Sequence, residues 1–328
     1  MTMGSRTGGY RAGRPAAILV AAILVAGILS VGLLATAGAA GADNAGPQRI
    51  VSVGGAVTET VFALGAGDRV VAVDSTSLYP PEARHLPDLG YMRTLSAEAL
   101  LSLSPDRILA VEGSGPPNVL DQIRAAGADL VMIPGDPSPE GVAEKVRAVG
   151  AALAIPAQGE ELALRLEREF AALAQVMAGL EARPKVLFLL SISGGAPPQA
   201  AGGDTAADGI IALAGGRNAV RGYDGYRPLS PEAMVAVAPE VILVTSQGLE
   251  VLGGPDAVLA RPEIAATPAG REGRLLAMDA LLLLGFGPRT PEAARMLARE
   301  LHPGLGSDTG LETLSGLEPV TGSERPAE

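Results

Sequence analysis

The 328-residue chain contains no cysteine and no tryptophan, and only two histidines. Without cysteine there is no disulfide, no thiolate metal site, no cysteine nucleophile and no lipid-modified cysteine. Aromatic residues make up 3% of the chain, five of them tyrosine. Positive charge is also scarce: 25 Lys and Arg face 36 Asp and Glu, a net charge of −11 at pH 7. Such a chain repels phosphate, which excludes non-specific binding of nucleic acid. After the N-terminal segment no apolar run reaches the roughly 18 residues that a membrane-spanning helix needs.

What is present begins with an export signal. In the first 42 residues Arg6, Arg11 and Arg14 are the only charges, and an apolar run from Ala16 to Ala35 follows them. Small residues then offer A-x-A sites at Ala35-Thr36-Ala37 and Ala40-Gly41-Ala42. Residues 1–42 therefore read as a cleaved signal peptide, with an uncleaved membrane anchor as the alternative. Either way the rest of the chain lies outside the cytoplasm. Removing the segment takes three basic residues and no acid, so the net charge falls to −14.

The body alternates short β-branched runs with amphipathic segments. Strands are expected at Arg49–Val53, Val70–Asp74, Arg107–Val111 and Leu130–Ile133, with helices starting near Thr58, Ser96, Pro116 and Ser138. A second series follows Lys185: strands at Val186–Leu190, Val241–Val244 and Leu275–Met278, helices near Thr205, Ser230 and Pro291. This alternation predicts α/β units with parallel sheets. Between the series, Leu162, Leu166, Phe170, Leu173, Val176, Met177 and Leu180 recur at steps of three and four between Pro156 and Pro184. One continuous helix of about 25 residues would span ~38 Å, a stiff strut rather than a flexible linker. The expected division is a signal peptide at 1–42, an N-terminal lobe at 43–155, a linking helix at 156–184, a C-terminal lobe at 185–303 and a disordered tail at 304–328.

The two series are related. Leu95–Ala110 and Leu229–Val244 are identical at seven of 16 aligned positions without a gap, both reading Leu-Ser-x-Glu-Ala and then Pro, an acid and a strand. Upstream, Gly90-Tyr91-Met92-Arg93 resembles Gly225-Tyr226-Arg227 with one residue deleted. Glu59 and Asp208 each open a helix that ends in Ala-Leu-x-x-Gly or Ala-Leu-Ala-Gly-Gly. The chain is thus expected to form two Rossmann-like lobes of one design, joined by a long rigid α-helix, with matching loops facing across a ligand cleft. Tyr91 and Tyr226 would stand on opposite walls.

At these residues the chain resembles a known family, the periplasmic substrate-binding proteins of ABC importers whose lobes are joined by one long helix. Within it the chain is most similar to the haem-binding proteins of bacterial haem uptake. The stretches that carry the likeness are Arg49–Gly55 with Thr58-Glu59, Tyr79-Pro80-Pro81-Glu82, Gly90–Ser96, Gly194-Gly195-Ala196-Pro197 and Gly202–Asp208. They span about residues 49 to 303. The resemblance implies a periplasmic carrier, not an enzyme, that binds haem and hands it to an ABC permease in the inner membrane, with an upstream haem donor as a further partner. It implies that Tyr91 ligates haem iron, that Arg93 supports the phenolate or a propionate, that Tyr226 is a candidate second axial ligand, and that Arg227 can meet a propionate. A hard phenolate suits hard ferric iron, and a guanidinium suits a phenolate or a carboxylate. It also implies that Glu98 and Glu232, one per lobe, dock onto permease arginines. The bland reading of each glutamate is an acid in a helix first turn, favoured by the dipole.

Other residues carry less. Tyr79 and Tyr223 read as rim or packing residues and Met92 as a packing residue. His85 lies in a proline-bounded loop and His302 ends the last helix, so both are poor ligands. Two histidines also argue against a zinc or manganese site. The glycine-rich Ser193–Asp204 lacks a phosphate-loop pattern. Gly194, Gly195, Gly202 and Gly203 are expected to let backbone approach a flat ligand. The alternatives are cobalamin or a ferric siderophore as ligand and, more remotely, a secreted α/β enzyme. The lack of tryptophan disfavours a large aromatic cradle, and no nucleophile–base pair supports an enzyme.

Overall fold

Strand β1 (Ile50–Val53) ends on Gly54, whose φ of 102° only glycine adopts without strain. The Gly54 N–H donates to the buried Asp74 carboxylate at 2.7 Å, so helix α1 (Gly55–Ala63) starts there, four residues before Glu59. Glu59, expected at a helix start, therefore sits inside the helix and is buried. Strand β2 (Val70–Val73), helix α2 (Ala97–Ser102), strand β3 (Arg107–Val111), helix α3 (Pro117–Ala125), strand β4 (Leu130–Ile133) and helix α4 (Pro139–Ala152) follow. The four strands form one parallel sheet in the order β2-β1-β3-β4. A computed structural model describes residues 46–191 and 198–305. The signal segment, Gly194 to Pro197 and the tail from residue 306 lie outside the described residues.

Helix α5 (Pro156–Ala178) is the expected strut, 23 residues and ~35 Å long, and it ends before Pro184. Its stripe of Leu162, Leu166, Phe170, Leu173 and Met177 is buried. Each large apolar side chain so buried contributes roughly 1.5–3 kcal/mol. The same core takes in Val142 and Val146 of α4 and Val186 and Phe188 from beyond the strut, which ties the two halves through one apolar mass. Helices α4 and α5 cross where Gly150 meets Gly159; a Cβ at Gly150 would sit 2.8 Å from the Gly159 Cα.

The second half comprises β5 (Lys185–Ser191), β6 (Gln199–Ala201), α6 (Ala206–Leu213), β7 (Arg217–Asn218), β8 (Tyr226–Pro228), α7 (Pro231–Val237) and β9 (Val241–Thr245). Four short helices come next, α8 (Ser246–Val251), α9 (Pro255–Leu259), α10 (Pro262–Ala265) and α11 (Pro268–Arg271). Strand β10 (Leu275–Met278) and helices α12 (Ala280–Leu284) and α13 (Thr290–Leu301) close it. Its sheet runs β10-β9-β5-β6-β8, with β7 also on β5. The parallel core β10-β9-β5 matches the expectation. The β6 and β8 strands are antiparallel additions at the end of β5.

The internal repeat has a structural counterpart. Ser96 caps α2 by accepting from the Ala99 N–H, and Ser230 caps α7 by accepting from the Ala233 N–H. Each helix then leads into a central strand, β3 or β9. No helix among the described residues is long and apolar enough to cross a membrane.

Candidate functional site

Both candidate tyrosines follow a glycine in the left-handed region, Gly90 at φ 82° and Gly225 at φ 78°. Nothing lies within 4 Å of a Cβ at either glycine, so backbone angle rather than space requires them. Tyr91 opens a turn closed by the Thr94 N–H donating to its carbonyl at 2.8 Å. Two further bonds, Gly115 N–H to Met92 and Leu95 N–H to Gly115, tie the turn to the loop after β3. Met92 and Leu95 pack into the core beside Leu100. The turn is thus fixed from beneath, while the Tyr91 ring is 45% exposed. Arg93, two residues on, is exposed as well.

Tyr226 is held differently. It lies on β8, paired with Ala201 of β6. Its ring meets the buried Phe188 of β5 edge-on, centroids 6.4 Å apart. Burial raises its pKa, while the Ala207 N–H, the Thr205 hydroxyl and the charge of Arg93 pull it back. Arg93 belongs to the N-terminal half, so its charge acts on Tyr226 across the division between the lobes. Phe188, Thr205 and Ala207 were not among the expected residues; Thr205 carried a signal as a helix cap three residues before Asp208, which its side chain accepts from.

Arg227 points its guanidinium over the Tyr223 ring, 5.1 Å from the centroid. The Tyr223 hydroxyl donates to the Ala200 carbonyl, and burial pushes its pKa up against the opposing charge of Arg227. Gly202 and Gly203 serve the chain itself: a Cβ at Gly202 would fall 2.1 Å from the Tyr223 carbonyl, and one at Gly203 2.6 Å from the Asp224 carboxylate. The close approach expected of a ligand is here made by the neighbouring loop. Glu98 and Glu232 are exposed in the first turns of α2 and α7. The Glu232 carboxyl is held below its ordinary value by its own N–H and by Ser230.

His85 is exposed in the short 3-10 turn Pro81–His85, and His302 is buried at the end of α13, its pKa lowered by burial. Tyr79 lies under the Arg289 guanidinium, 3.4 Å from its ring centroid. Two crevices, of about 530 and 800 Å3, flank that stack and share Tyr79, Arg289 and Glu292; neither is lined by Tyr91, Arg93, Tyr226 or Arg227.

Two α/β lobes joined by a long helical strut are the architecture of a substrate-binding protein. The chain belongs to the periplasmic binding protein family, whose model it matches over residues 50–281. It is 46% identical to the periplasmic heme-binding protein RhuT from Roseiflexus sp. RS-1 in apo form, with 79% of this chain and 99% of that one covered at a TM-score of 0.75. It is 43% identical to the periplasmic heme-binding protein BhuT in complex with two hemes, covering 78% of this chain and 98% of that one at a TM-score of 0.74. A vitamin B12-binding protein of Photorhabdus laumondii is 29% identical over 203 residues, 61% of this chain and 72% of its own. Membership places the chain among exported binding proteins of the periplasm.

Proposed function

We propose that this protein captures haem in the cleft between its lobes and delivers it to an ABC importer in the inner membrane. The observation that carries the reading is the 46% and 43% identity to periplasmic heme-binding proteins over nearly their whole length, together with the exposed, backbone-fixed turn that presents Tyr91 and Arg93. Tyr91 supplies the iron ligand from an exposed, backbone-fixed turn. A phenolate is a hard anionic oxygen donor matched to ferric iron. Arg93 stabilises that phenolate or a haem propionate. Tyr226 forms the facing wall; its ring is set edge-on against the buried Phe188, so we assign it a flank of the porphyrin before a second axial bond. Arg227, stacked on Tyr223, is the candidate at the rim for a propionate.

The domain limits that fit this role are 43–155, 156–184 and 185–303, with residues 1–42 removed on export. Glu98 and Glu232 are the docking points for the permease. They stand at equivalent helix starts, which suits a two-fold partner, and exposed charges of this kind set encounter rate and register. Cobalamin is the second reading, since vitamin B12-binding proteins are among the relatives at 29% identity. The 46% and 43% identities to heme-binding proteins favour haem. Parallel titrations of the mature chain with hemin and with cyanocobalamin, followed by absorbance, separate the two. Saturable binding of hemin with none of cobalamin is expected. The reverse result would replace haem by cobalamin.

A further inference from the structure

The lobes also meet across a crevice from the strut, whose Arg165, Leu166 and Glu169 line that crevice together with Glu59, Tyr79 and Arg289. Glu59 of α1 accepts from Arg289 twice, from its backbone N–H at 2.9 Å and from its guanidinium at 2.8 Å. The two side chains are 5% and 12% exposed. Glu59 belongs to the N-terminal lobe, and Arg289 lies in the loop between α12 and α13 of the other. The same guanidinium covers the ring of Tyr79, an N-terminal residue. Beside them Lys145 of α4, almost wholly buried, donates to the Phe286 carbonyl at 2.7 Å. The backbone is shaped for the contact: a Cβ at Gly287 would lie 3.1 Å from the Glu59 carboxylate, and one at Gly55 2.6 Å from Leu281.

We infer that Glu59, Tyr79, Lys145 and the Phe286–Arg289 loop form a second joint between the lobes, which with the strut fixes the opening of the Tyr91–Tyr226 cleft. The strut and the apolar core it shares with α4 join the lobes along one line, and apolar packing alone resists twist about that line only weakly. A second attachment away from that line removes the twist. The chemistry suits a joint of fixed geometry. A carboxylate held by two donors on one partner has one good position, and either group alone would be a buried unpaired charge. A guanidinium stacked on an aromatic face adds a second directional contact. The two crevices on either side of the Tyr79–Arg289 stack leave it as the wall between them.

The absence of cysteine makes the test direct. Ser102→Cys and Ala236→Cys put one spin label on an exposed helical position of each lobe. Double electron–electron resonance on the ligand-free mature protein then reads the inter-lobe distance, so the outcome does not depend on which ligand is bound. The parent should give one narrow distance. Glu59→Gln, which keeps the side-chain shape, should lose it and give a broad distribution, and Tyr79→Leu should broaden it as well. Circular dichroism checks that each variant is folded. Should Glu59→Gln fail to fold, Tyr79→Leu alone decides. A folded variant that keeps the parent's narrow distance overturns the joint.

Discussion

The Tyr226 ring abuts Phe188 edge-on, centroids 6.4 Å apart and planes at 67°. Phe188 is wholly buried in β5, and Tyr226 itself is held on β8 by its pairing with Ala201. The Tyr226 ring is thus braced along one edge before any ligand arrives. Tyr91 is positioned only through its backbone, and its hydroxyl is left for chemistry.

From that asymmetry, Tyr226→Phe should leave the absorption spectrum of the hemin complex unchanged. Tyr226→Ala removes the wall and should weaken hemin binding by about 1 kcal/mol, roughly fivefold in Kd, the size of one aromatic packing contact. Absorbance titrations measure both. A changed spectrum in Tyr226→Phe would make Tyr226 an iron ligand.

Burial brings the Lys145 ammonium down to about 8, with Glu59 and then Asp136 opposing the shift. A free lysine titrates near ~10.4, so between these values the unfolded chain binds the proton more tightly. The cost of burying the charge is full below pH 8 and is relieved as the folded chain releases its proton. Stability relative to Lys145→Met should therefore rise with pH across that window, by up to roughly 1.4 kcal/mol per unit. Urea unfolding of both proteins across the window checks the sign. A difference that stays flat or falls contradicts it.

At Gly55 an added methyl would lie 2.3 Å from the Thr76 carbonyl and 2.6 Å from Leu281. Backbone cannot retreat as a side chain can. Gly55→Ala should destabilise the protein by about 1–3 kcal/mol, the usual range for overpacking. Thermal unfolding at fixed pH reads the loss.

Glu98→Lys with Glu232→Lys reverses charge at two exposed helix starts without touching the cleft. Hemin affinity should stay at the parent value, while haem transfer to the reconstituted importer falls. Equal transfer by parent and double variant would remove the docking role.

The legible parts of the sequence were those with short-range causes. A serine cap, an acid in the first turn and a Pro-acid step into a strand recur at Leu95–Ala110 and Leu229–Val244, and both copies fold as the pattern indicates. The strut followed from its apolar spacing. Strands β6 and β8 were not legible: Gln-Ala-Ala and Tyr-Arg-Pro carry no alternation, and only their mutual pairing makes them strands. The true start of α1 was set by Asp74, 20 residues beyond Gly54. The Glu59–Arg289 pair joins residues 230 apart, and nothing local to either announces the other. Among the proposed site residues, Tyr91 and Arg93 stood out through the family resemblance, and Tyr226 and Arg227 through the repeat. Phe188 and the start of α6 did not, because they act on Tyr226 through the fold.

Tyr91 is the proposed ligand of haem iron. The decisive measurement is the absorption spectrum of the hemin complex of the mature chain beside that of Tyr91→Phe. The parent should give a ferric high-spin spectrum with a tyrosinate-to-iron charge-transfer band, and Tyr91→Phe should lose that band. An identical spectrum from Tyr91→Phe would show that Tyr91 does not bind the iron.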